Sequence, residues 1–212
     1  MEINWYGYNC FGLKTKNGAL VVDPYKNDVG LKLPNIKANV VVLSEEGNKS
    51  NNSEEIGGDP KVLTWPGEYE VAGIAITALK VAGTADSKKS SPSKAMMYSF
   101  DADGLKVCYI SNFTAPISEE LMESIGDVDV LIVPLNGNLE EIHKVIEEIE
   151  PRIVIPVGYS TPGLKADAGD LDTFLKKTGT QGVTPSDKFS VGGRSELPQE
   201  KTEYKILKPQ NA

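Results

Sequence analysis

Histidine is nearly absent: His143 is the single one in 212 residues. A catalytic zinc centre needs about three nitrogen, sulfur or carboxylate donors converging at bonding distance, so a histidine-rich centre is excluded. Cysteine is almost as scarce. Cys10 and Cys108 lie in separate apolar segments, and their spacing is not that of a zinc site. Buried, reduced thiols are expected, with a disulfide between them left open. No apolar run approaches the roughly 18 residues of a membrane span. The opening "MEINWYGYNC" lacks the basic and apolar regions of a signal peptide. Positive charge is in deficit: the net charge is −8 and the pI about 4.8, which argues against binding to nucleic acid or anionic membranes. No glycine-rich phosphate loop is present, because Gly192-Gly193 has no helix after it. A cytoplasmic, soluble protein without a cofactor is expected. The sequons at Asn48 and Asn112 then read as chance matches.

What is present alternates in character along the chain. The first half reads as strands. "INWYGYNCFGLKT" ends near Asn17-Gly18, a hairpin signal, and "ALVVDPY" stops at Asp23-Pro24. "ANVVVLS" is the continuous apolar run of a strand buried on both faces. "KVLTWPGEYEVAGIAITALKV" predicts two or three short strands, and Asp103-Gly104 joins two more. The second half alternates strands with helices. Ser118 caps a first helix that stops at Gly126. Asn138 caps a second, with Glu141 completing a capping box. Leu139, Ile142, Ile146 and Ile149 form its apolar stripe, and Pro151 ends it. Asp170 caps a last helix carrying Phe174. The tail predicts two further strands. No linker or repeat divides the chain, so one domain over residues 1–212 is expected. Two sheets' worth of strands plus helices suggest a layered α/β sandwich.

Six segments, in order, carry a resemblance: "WYGYNCF", "VVDPY", "VVVLSEEGNKSNN", "PGEYEVAGIAI", "VDVLIVPLNG" and "IEPRIVIPVGY". Together they resemble the metallo-β-lactamase superfamily, in its ascorbate-6-phosphate-lactonase-like branch. The resemblance implies a four-layer αββα sandwich with the site along one edge of the paired sheets. It also implies two zinc or manganese ions held by a Thr-His-x-His-x-Asp-His loop and further histidines.

Laid on this chain, that ligand set is missing. Ser44 takes the threonine place, and Glu45 and Gly47 stand for the first two histidines. Lys49 replaces the aspartate and Ser50 the last histidine, while Asn51 and Asn52 are kept. Tyr8 and Gly158 occupy two further histidine places, and Ser111-Asn112 the usual Gly-Asp. Residues 81–94 hold no histidine. An ammonium at Lys49 would repel a dication in a partly desolvated site. No bound metal and no catalytic residue are therefore expected. The former site is read as a pocket of Tyr8, Glu45, Gly47, Lys49, Ser50, Asn112, Gly158 and Tyr159, with a Glu45–Lys49 salt bridge as one possible filling. The first expectation for function is a non-catalytic binding or structural module for a small ligand or protein partner. A homo-oligomer is expected from the resemblance. The alternative is a hydrolase acting on a phosphoester or lactone through an atypical or metal-free site. His143 is expected at the surface, Glu68 and Glu70 as structural, and Ser91-x-x-Lys94 as a chance match to a serine-lysine motif.

Overall fold

The computed structural model describes residues 1–44, 51–80, 96–111 and 118–211. The first-half strands are β1 (Glu2–Gly7), β2 (Cys10–Lys14), β3 (Ala19–Val22), β4 (Val40–Val42), β5 (Lys61–Leu63), β6 (Gly67–Val71), β7 (Ile74–Lys80), β8 (Met96–Ala102) and β9 (Leu105–Ile110). After them come α1 (Glu119–Ile125), β10 (Val130–Pro134), α2 (Leu139–Ile149), β11 (Ile153–Val157), α3 (Leu171–Lys177), β12 (Phe189–Ser190) and β13 (Glu203–Tyr204). They assemble into a six-stranded sheet, β12-β1-β2-β3-β4-β5, and a seven-stranded sheet, β13-β11-β10-β9-β8-β7-β6.

Strand periodicity sorts the side chains. Leu20, Val22, Val40 and Val42 pack between the sheets with Trp5, Phe11, Ile74 and Phe100. Their neighbours Val21 and Val41 point the other way, into a second cluster with Tyr25, Leu33 and Ile36. Every residue of β10 and β11 is buried. That is the pattern of parallel strands covered on both faces, here by the larger sheet's helices on one side. Ile142, Val145, Ile146 and Phe174 supply the helical cover. Each such side chain contributes roughly 1.5–3 kcal/mol by leaving water. Over the smaller sheet the outer layer comes from the irregular stretch around residues 24–38, which supplies most of the second cluster.

Local signals act where the sequence places them. Asn138 Oδ1 accepts from Glu140 N at 3.0 Å. Asp170 Oδ1 accepts from Asp172 N and Thr173 N. Asp103 and Gly104 both take positive φ, 54° and 75°, as the tight turn between β8 and β9 requires. α2 ends at Glu150, held at φ 48° before Pro151.

Candidate functional site

The strand ends converge at one end of the sandwich. β1 delivers Tyr8, β3 Asp23, β4 Ser44, β9 Ser111, β10 Asn136 and β11 Gly158. Asp23 is the hub. It sits at φ 46°, and its N–H donates to Val42 O at 2.9 Å. Its Oδ1 accepts from Ser44 N at 2.7 Å, and its Oδ2 accepts from Ser44 Oγ at 2.5 Å and Tyr109 Oη at 3.0 Å. Tyr109 belongs to the larger sheet and Asp23 to the smaller, so this carboxylate ties the two layers together. More bonds seal the same seam. Met96 N donates to Ser44 O, Ser111 Oγ to Ser44 O, and Tyr98 Oη to Leu43 O, at 3.1, 3.4 and 3.0 Å.

The two retained asparagines have a structural explanation. Asn52 N donates to Pro24 O, and its side-chain amide to Tyr25 O. Asn51 pairs with Tyr25 in an isolated bridge. They tie the chain at residues 51–52 to residues 24–25.

On the other side of the seam Gly158 N donates to Tyr8 O at 2.8 Å, and that carbonyl also accepts from Trp5 Nε1. Gly158 has φ 66°, a conformation that side chains rarely adopt. A Cβ there would lie 2.4 Å from Asn9 Oδ1 and 3.3 Å from Asn136 Oδ1. Asn9 Oδ1 is itself buried and has no hydrogen-bond partner among the described residues. Tyr159 does not open into the pocket. Its ring packs against Trp5 with centroids 4.3 Å apart and planes tilted by 41°, its hydroxyl donates to Leu207 O, and burial pushes its phenol well above the ordinary range.

Of the remaining expected pocket residues, Glu45, Gly47, Lys49, Ser50 and Asn112 lie outside the described residues, as do the Glu45–Lys49 bridge and the Ser91-x-x-Lys94 match. Tyr8 is half-buried at φ 48°, beside the site. His143 is on α2 with Nδ1 3.3 Å from Glu147 Oε1. Cys10 and Cys108 are free and buried. Burial and then the Asp23 charge push the Cys10 thiol well up, and burial raises Cys108 to about 12. Both are poor nucleophiles. Asp23, Asn9 and Tyr109 are the members that sequence reasoning missed. Only the Asp23-Pro24 stop hinted at the first.

The residues present do not fit a two-ion transition-metal centre. Among the described residues no group of three histidine, cysteine, aspartate or glutamate side chains comes together. The place of the last histidine is Gly158, where Asn9 already fills the space a side chain would enter.

Comparison with known proteins bears on function directly. The profile of the β-lactamase superfamily domain matches residues 2–158. A UPF0173 protein of Pyrococcus abyssi is 27% identical over 187 residues, covering 77% of this chain and 85% of its own length. A UPF0173 metal-dependent hydrolase of Nanoarchaeum equitans is 25% identical over 214 residues, covering 86% and 95%. A crystal structure from Thermotoga maritima, a proposed zinc-dependent hydrolase of the metallo-β-lactamase superfamily, is 25% identical over 98% of both chains, with a TM-score of 0.76. These names overturn the expectation of a non-catalytic module: relatives matched over most of their length are named hydrolases. That expectation read the loss of metal-ligating side chains as loss of chemistry. No helix among the described residues is long and apolar enough to cross a membrane.

Proposed function

This chain belongs to the β-lactamase superfamily, and from that premise we propose that it hydrolyses a phosphoester or a lactone at these strand ends, through a site that does not use the family's two ions. The contact that carries the reading is Ser44 Oγ to Asp23 Oδ2, 2.5 Å apart. A hydroxyl held on a carboxylate is the arrangement a nucleophile and its proton acceptor require. In the reaction, Ser44 Oγ attacks the carbonyl carbon or the phosphorus. Its proton passes to Asp23 Oδ2 and from there to the leaving oxygen, which departs as an alcohol or, in a lactone, becomes the hydroxyl of the opened ring, and Asp23 can again take a proton from the incoming water. Water then attacks the Ser44 ester, returning the hydroxyl and releasing the acid.

Asp23 already accepts two further bonds, from Ser44 N and Tyr109 Oη. A carboxylate holding several donors is a weak proton acceptor, so slow turnover is expected. Ser44 is 4% exposed, which favours a small or flat ester over a bulky one.

The test is hydrolysis of bis(4-nitrophenyl) phosphate and of a simple lactone by the purified protein, with and without a chelator. The expected result is slow turnover that survives chelation and falls about 100-fold or more in Ser44→Ala. Turnover that disappears on chelation and returns with zinc would overturn the metal-free site. No turnover on either substrate class would overturn the hydrolase reading.

A further inference from the structure

β5 and β6 are the terminal strands of their two sheets, and residues 64–66 connect them. Both strands locate that connection at the end of the sandwich that holds Ser44. β5 runs parallel to β4 with Val42 opposite Leu63, and Leu43 N donates to Leu63 O at 3.0 Å. Counted on by two residues, this register sets Ser44 level with Trp65. On the larger sheet Gly67 pairs with Ala78, and two residues further along β7 Lys80 pairs with Met96. Met96 N is the donor to Ser44 O. β4 is flanked by β3, which carries Asp23, and by β5. Ser44 therefore has Asp23 on one side and Trp65 on the other, on strand ends about 4.8 Å apart.

Trp65 is held in its main chain and left in water at its side chain. Its carbonyl accepts from Tyr69 Oη at 3.0 Å, and Lys61 Nζ stands 5.5 Å from the centre of the Tyr69 ring. Pro66 follows, which keeps Trp65 out of the helical region. The residue is nevertheless 62% exposed, whereas Trp5, the chain's other tryptophan, is fully buried. An aromatic side chain ordinarily buries roughly 150–250 Å², and this one forgoes most of that gain. Single exposed hydrophobic residues are ordinary on a surface. Here the exposed group is an indole, fixed at its backbone and set on the rim of a serine held by a carboxylate.

We propose that Trp65 is the subsite for a ring on the substrate: the ester cleaved here carries a flat aromatic group, which stacks on the indole while the carbonyl carbon or phosphorus sits at Ser44. This rests on the hydrolase reading above and narrows it to aryl phosphoesters and lactones fused to an aromatic ring. An indole offers a broad face without charge, so it selects for flatness and a π-system. Glu68 and Glu70 are both exposed on β6 just beyond it and outnumber Lys61. Their charge favours a neutral ring over an acidic one. The slight exposure of Ser44, 4%, agrees with a flat substrate that enters edge-on from the Trp65 side.

Two measurements on the full chain test this. The first compares turnover of dihydrocoumarin, a lactone fused to a benzene ring, with that of γ-butyrolactone, which has no aromatic ring. Trp65→Ala should lower the kcat/KM preference for the aryl lactone about tenfold, chiefly through KM, and Trp65→Phe should keep most of it. The second is calorimetric titration of Ser44→Ala with phenyl phosphate, which reads binding without chemistry. Adding Trp65→Ala should weaken that binding about tenfold. Binding that is absent or indifferent to Trp65, or a preference unchanged in Trp65→Ala, overturns the ring subsite even where Ser44→Ala abolishes turnover. A wild-type chain that turns over neither lactone, with phenyl phosphate binding that depends on Trp65, overturns the hydrolase reading instead and upholds Trp65 as a ring-binding group.

Discussion

Asp23 and Asp129 are carboxylates at opposite ends of the strands, and their partners differ in kind. Asp129 precedes β10 and is buried at 3% exposure. Its Oδ2 accepts from Lys106 N at 2.9 Å. Its Oδ1 lies 2.9 Å from Arg194 Nε and 3.4 Å from Arg152 Nε, at ion-pair distance but poorly aligned as a hydrogen bond. Arg152 goes on to Pro198 O and Gln199 Oε1, so the carboxylate straps the C-terminal segment to the larger sheet. Asp23 instead takes hydroxyl and main-chain donors from both sheets. A guanidinium holds a carboxylate in place and gives it no proton to move. A hydroxyl does both. One end of the sandwich is therefore built for holding, and the other retains groups that can react.

The largest effect that would sharpen this contrast is at Asp129. Asp129→Ala removes a buried acceptor from Lys106 N and the partner of two partly exposed arginines, and should cost about 1–3 kcal/mol in urea unfolding. A loss below about 1 kcal/mol would erase the distinction between the two carboxylates. Next is Gly158→His, which restores a family ligand at φ 66° against Asn9. The left-handed backbone alone should cost about 1–3 kcal/mol. Zinc should produce no thermal shift in this variant, and a clear stabilisation by zinc would refute the steric argument. Ser44→Ala removes one hydroxyl bond to Asp23 and should cost about 1 kcal/mol, while activity falls far more than stability. Equal losses in both would make Ser44 merely structural.

The last effect shows only at alkaline pH. Burial raises Cys108 from 9.0 to about 12 and Tyr6 from 10.0 to about 12. In both, the folded chain holds its proton longer than the unfolded chain. Their contribution to stability is complete below pH 9.0 and is lost as the pH rises toward about 12. Denaturant midpoints should fall across that window, and Cys108→Ala should flatten the start of the fall. A midpoint constant from pH 9 to pH 12 would contradict both shifts.

Local features of the fold were legible because they depend on neighbours in sequence. Asn138 and Asp170 cap their helices, Asp103-Gly104 turns, and the apolar runs of β4, β10 and β11 are buried as read. The candidate site was legible only in part. Tyr8 and Gly158, two of the expected pocket residues, are joined by a main-chain bond from Gly158 N to Tyr8 O. Asn9 against Gly158 and Asp23 against Tyr109 were not foreseen, because those partners are far apart in the chain and no local pattern links them. Tyr159 was placed in the pocket because it follows Gly158. Strand alternation turns its ring instead onto Trp5.

The sequence by itself determined the donor set. One histidine cannot make the family's two-ion centre, and apolar runs, alternation and three-to-four spacing point to the strands and helices. Only the tertiary structure decided which carboxylate meets a hydroxyl and which meets arginines, and which sheet edges stay open. Those choices follow from how two sheets stack, and stacking joins residues that the chain keeps far apart.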